Sequence, residues 1–224
     1  MTIWRWCALF SVVMVAIALS FGRIGGIDAC GGGPLGEPII SFEFVQTPSD
    51  VEALFQPACR ATIVRAQHTG LLLDIFGFVP AYVAMLLTAL LALSRKVGVK
   101  PLLYAGAAFT IVAAICDQVE NVQLLRILDA LPGTPDIISI LMPAVRIKFG
   151  VLAVAVLCVG ALLIRAPGVL RWFALPIHLG GVVSIYALAM NPKLLGLGGL
   201  LSFASIAIVA IAMSVRGASA RAAA

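Results

Sequence analysis

The sequence predicts an all-α integral membrane protein of six transmembrane helices, or five if the first is a cleaved signal, with a small extracytoplasmic strand/helix cap between the first two. Three observations carry that prediction. The chain is 62% hydrophobic and only 11% charged, against about a quarter charged in soluble domains, so most of its surface must face something other than water. Six apolar runs approach or exceed the roughly 20 residues that cross a hydrocarbon core of about 30 Å. Basic residues recur in every second connection between those runs, as the positive-inside rule requires.

The runs fall at 6–21, 71–93, 101–128, 137–164, 169–190 and 194–215. Arg5 precedes the first, Arg95, Lys96 and Lys100 lie between the second and third, Arg165 and Arg171 between the fourth and fifth, and Arg216 and Arg221 follow the sixth. Both termini are therefore predicted in the cytoplasm of a bacterial-type inner (plasma) membrane. The chain divides into a first span (1–21), an outer segment (22–70), a five-helix membrane domain (71–215) and a cytoplasmic tail (216–224). Lys and Arg total 15 against 10 for Asp and Glu, but they are scattered through short connections, which speaks for topology and against nucleic-acid binding.

The first run has two readings. Arg5, an apolar stretch and Ala18-Leu19-Ser20 match a signal peptide with a small-residue cleavage site. A retained anchor is favoured, because the run is long for a signal core and six spans give a consistent charge pattern.

Within 22–70, Gly31-Gly32-Gly33-Pro34 reads as a turn, and the alternation in 39–45 reads as a short strand. Thr47-Pro48-Ser49-Asp50 is a helix start with Thr47 as N-cap, predicting a helix over 48–55. Phe42, Phe44, Val51, Leu54 and Phe55 supply an apolar face, either for a packed cap or for a lid. Of five cysteines, Cys30 and Cys59 share this segment on the oxidising side, so a Cys30–Cys59 disulfide is expected, while Cys7, Cys116 and Cys158 lie in spans.

The candidate site is a set of charges inside the spans: Asp74, Asp117, Glu120, Arg146 and Lys148, with Asn121. An ionisable residue at a helix centre costs about 2.5–3.5 kcal/mol on insertion scales, so an unused one is a liability. Asp117, Glu120 and Asn121 are three and four apart and share one helix face. Arg146 and Lys148 are about 200° apart around a helix, so only one can face that pocket; Lys148 is assigned to the acids, and Arg146 snorkels outward or meets Asp136. Pro80, Pro143 and Pro176 lie within the second, fourth and fifth spans and predict kinks, those at Pro80 and Pro143 flanking this layer. His178 is a candidate proton relay.

Adjacent buried carboxylates hold protons more tightly, so the cluster suits a proton or small cation. The leading function is a proton- or cation-linked transporter or channel-like protein. The alternatives are a non-catalytic membrane subunit or assembly factor with a structural ion network, and a small lipid- or quinone-active enzyme. No catalytic residue is identifiable, the enzyme reading ranks behind the others, and no motif implies a cofactor. Two histidines without helical pairing argue against a tetrahedral metal site. Expected partners are membrane lipids and a membrane protein bound through the first and last spans, the last carrying a small-residue face at Gly196, Gly198, Gly199, Ser202 and Ser205.

Overall fold

A computed structural model describes the backbone of residues 3–222 and side chains through Arg216; the side chain of Arg221 lies outside the described residues. Every regular element in it is helical. In order these are α1 (Ile3–Phe21), α2 (Pro38–Glu43), α3 (Pro48–Leu54), α4 (Arg60–Leu73), α5 (Val79–Val97), α6 (Lys100–Asp129), α7 (Pro135–Ile164), α8 (Ala174–Met190) and α9 (Leu195–Ala222). A π-helical turn, Asp74–Phe78, joins α4 to α5, and short 3₁₀ turns precede α8 and α9. Six of these helical stretches are long and apolar enough to cross a membrane, the second running unbroken from Arg60 to Val97. The chain is a multi-pass α-helical membrane protein, and its spans imply contact with lipid.

Three sequence expectations need correction. The 39–45 strand is α2. Pro38 opens it at the first turn, where a missing N–H costs nothing, and the buried residues are Ser41, Phe42 and Val45, a helical spacing. A run this short fits both periods, so alternation alone misleads. The helix that carries the second apolar run begins at Arg60, ahead of the run itself. Arg65, Gln67, His68 and Thr69 depress its hydropathy, yet Ile63, Ala66, Gln67, Gly70 and Leu71 form one buried stripe. Pro176 introduces no mid-helix kink, because it stands in the first turn of α8, directly after the 3₁₀ turn.

The chain forms two compact units. One takes the chain up to Val15, Pro80–Ala113 and the chain from Phe149 on. Its α8–α9 pair packs through small residues: a Cβ built on Gly198 would lie 2.9 Å from the Gly180 carbonyl oxygen, and one on Gly180 would strike the Ser202 hydroxyl. Gly198 and Ser202 of the last span's small-residue face thus pack on α8 of the same chain, while a Cβ on Gly199 would meet open space. His178 lies on α8, with Nδ1 2.7 Å from the Ala174 carbonyl of its own helix and its ring against Gly160.

The other unit takes Ala16–Val79 and Ala114–Lys148. Helix α3 starts as expected: Asp50 N donates to Thr47 Oγ1 (3.2 Å), while Asp50 Oδ2 accepts from the backbone N–H groups of Thr47 (2.8 Å) and Gln46 (2.9 Å). Those bonds, led by the one from Gln46, hold the Asp50 carboxyl below its usual pKa. Phe42 of α2 and Phe55 after α3 meet edge to face, centroids 5.0 Å apart, both fully buried. Ser41 Oγ donates to the Gly32 carbonyl at 3.0 Å and accepts from Leu35 N. Gly33 next to it has φ +65°, and a Cβ there would lie 2.6 Å from Ser41. The Cys30–Cys59 disulfide closes the segment with 5.6 Å between Cα atoms, and Gln67 Nε2 donates to the Pro38 carbonyl, tying α4 to α2.

Candidate functional site

Lys148 is the centre of this second unit's polar interior. Its ammonium lies 2.7 Å from Glu120 Oε1, 3.4 Å from Glu43 Oε2 and 3.5 Å from Asp117 Oδ1. The side chains concerned are 6% (Lys148), 1% (Glu120), 13% (Glu43) and 7% (Asp117) exposed, so water screens them little. Helix α6 supplies Asp117, Glu120 and Asn121, all buried, while Ile115, Val119 and Val122 on its other sides are exposed. Helix α7 supplies Lys148 and turns Arg146 to the exposed side. Arg146 makes no ion pair among the described residues, and Asp136, ten residues away along the helix, is about 15 Å distant by helical rise.

Asp74 is brought in by its π turn. Its Oδ2 accepts from Asn121 Nδ2 at 2.6 Å. The wide turn follows from Pro80. Val79 N–H reaches back five residues to the Asp74 carbonyl, and in that register the Ile75 carbonyl faces Pro80, which has no N–H to give. Gln118 Nε2 of α6 supplies the missing donor at 3.3 Å. One proline thereby sets the position of Asp74 and binds the turn to the acidic helix.

Glu43 is the site residue that sequence reasoning missed. On α2 it packs against Lys148, its side chain 13% exposed. A signal was present, since it is the single charged residue within 38–45, where Ser41 is the only other polar side chain. Burial is the largest influence on its carboxyl and pushes its pKa up, opposed by the Lys148 charge and reinforced by Asp117. Because folding raises this pKa, its contribution to docking α2 is fully present below the ordinary carboxylate range and fades as pH rises through the raised value.

Four carboxyl groups surround one ammonium, so full ionisation would leave three uncompensated negative charges in a buried space. Two like charges 4 Å apart repel by roughly 4 kcal/mol at an effective dielectric of 20. One oxygen makes the imbalance concrete: Glu120 Oε2 is buried with no hydrogen-bond partner, the one such side-chain atom among the described residues. No group of three or more His, Cys, Asp or Glu among the described residues is placed to hold a metal ion. Lys148 itself fills the cation's position. His178 is not among the groups facing it.

Fold and site together define a multi-pass membrane protein with a buried, charge-imbalanced acid cluster. The chain matches no protein-family model, no curated protein and no solved structure.

Proposed function

We propose that this is a proton-linked membrane transporter or channel-like protein whose acid cluster, Glu43, Asp74, Asp117 and Glu120 around Lys148, takes up and releases protons. The observation that carries this reading is the unpartnered Glu120 Oε2 beside a single ammonium shared by three acids. A purely structural network is normally fully paired, whereas this one stays short of donors until a proton is added. The resident ammonium favours protons over metal cations, which Lys148 repels.

Location supports the same reading. In the proposed topology the termini face the cytoplasm of a bacterial-type inner membrane, and the non-helical connections and short helices of 22–59 lie outside, carrying Asp28, Glu37, Glu43, Asp50 and Glu52 against Arg23 alone. About 20 residues counted from the basic ends at Val97, Lys100 and Ile164 span the core and end near Phe78, Glu120 and Val145. The cluster then stands at the outer boundary of the bilayer, where protons are exchangeable with water.

A second reading is favoured by one observation. Lys148 joins α7, α6 and α2 at once, as a structural network in a non-catalytic membrane subunit would. Proton flux separates the two. Protein reconstituted in liposomes with an internal pH indicator is expected to carry protons under an imposed potential, and Glu120→Gln to abolish that flux. Flux equal to that of empty liposomes contradicts transport and leaves the structural reading.

A further inference from the structure

We propose that Glu43 and Glu120 share one proton, and that this proton latches α2 of the outer segment to α6. The inference rests on reading the cluster as proton-binding and names where the proton sits.

Geometry singles out this pair. Both carboxyls face one ammonium, that of Lys148, at 3.4 Å for Glu43 Oε2 and 2.7 Å for Glu120 Oε1. Glu120 spends Oε1 on the ammonium and keeps Oε2 without a donor, although the residue is 1% exposed. Two carboxylates have only acceptors to offer each other, so they bond when one carries a proton. Asp74 already has the Asn121 amide. The other groups bearing on the pair are Asp117 on α6 and Asp74 on the π turn, both of which favour the proton by repulsion, with Lys148 on α7 opposing it; Cys116 stands at the edge of the same charges.

The two partners differ in freedom. Glu120 lies deep within a 30-residue helix, whereas Glu43 ends a helix of six residues in a segment between α1 and α4. When the shared proton leaves, repulsion moves the less constrained partner. Burial raises the Glu43 pKa, so the latch holds at low pH and loosens as pH rises through that value. The outer segment is thus proton-sensitive at its one buried acid.

The test uses full-length protein in lipid nanodiscs. Infrared titration reads the carbonyl stretch of a protonated carboxyl, and amide hydrogen exchange reads protection of 38–45. We expect the protonated band to persist above the ordinary carboxylate range and to be lost in both Glu43→Gln and Glu120→Gln but not in Asp50→Asn. Exchange at 38–45 rises at least tenfold as the wild-type band titrates away. Glu43→Gln, whose amide donates where the shared proton does, keeps 38–45 protected at every pH. Absence of the band, its survival in both Gln variants, or exchange at 38–45 indifferent to pH in the wild type overturns the latch. The wild-type measurements decide even if a variant does not fold. Band and exchange as expected without liposome proton flux overturn transport alone; flux without the band overturns this pairing alone.

Discussion

Helices α8 and α9 associate by having almost nothing between them, while α2, α6 and α7 associate through buried charge. In the first pair, Gly180, Gly198, Ser184 and Ser202 bring backbones close, and Ser202 Oγ satisfies itself on the Gly198 carbonyl at 2.9 Å. None of these four residues titrates in the ordinary pH range, so their contact is indifferent to pH and intolerant of volume. In the second, Lys148 holds Glu43 and Glu120 from elements 77 residues apart in sequence, and the strength of the contact depends on how many protons the acids carry. The first arrangement fixes a geometry, and the second makes one conditional.

The largest effect should come from the charged side. Lys148→Ala leaves buried acids without their counter-charge and is expected to cost about 3–5 kcal/mol, or to drive proton uptake of equivalent energy, read as thermal stability in detergent at several pH values. The loss should shrink as pH falls, because protonation removes the uncompensated charge. A loss that is constant with pH breaks the contrast with α8–α9.

Reducing or removing the Cys30–Cys59 disulfide (Cys30→Ser with Cys59→Ser) is expected to cost roughly 3 kcal/mol on the chain-entropy estimate for a loop of this size. Local hydrogen exchange should place the loss in 22–59, with α8–α9 protection unchanged. On the apolar side, Gly198→Val forces a side chain into the Gly180 carbonyl and Ser184, with an expected cost of about 1–3 kcal/mol at every pH. A pH-dependent penalty there erases the distinction between the two regions.

The smallest effect sharpens the comparison within the segment between α1 and α4. Asp50 and Glu43 are both acids, shifted in opposite directions. Asp50→Ala removes the capping box and should cost about 1 kcal/mol at neutral pH. Since folding lowers the Asp50 pKa, its contribution is present above the ordinary carboxylate range and is lost as pH falls through the depressed value. Wild type and Asp50→Ala should therefore converge in stability in acid, which circular dichroism melts can follow.

Much of this was legible in the sequence. Hydropathy and length gave the six spans, three-four spacing placed Asp117, Glu120 and Asn121 on one face, Thr47-Pro48-Ser49-Asp50 announced its capping box, and the shared outer segment paired Cys30 with Cys59. What was hidden is long-range. Helix α2 escaped because seven residues cannot separate a period of two from one of 3.6, and Glu43 escaped with it. The start at Arg60 was masked because burial inside the protein, unlike burial in lipid, tolerates Gln67 when the Pro38 carbonyl receives its amide. The π turn was invisible as such. Pro80 signalled a disturbance, but its outcome depended on Gln118 arriving from another helix to satisfy Ile75.

Lys148 and Glu120, 2.7 Å apart, form one buried unit whose members cannot be removed singly without cost. A double-mutant cycle tests it most directly: Lys148→Met, Glu120→Gln and the double variant, compared by thermal and denaturant stability in detergent at neutral pH. The double variant is expected to be more stable than Lys148→Met alone, because deleting both charges avoids the unpaired state, with a coupling energy of about 1–3 kcal/mol. Losses that simply add would contradict it, showing that the ammonium 2.7 Å from Glu120 Oε1 does not compensate that carboxylate.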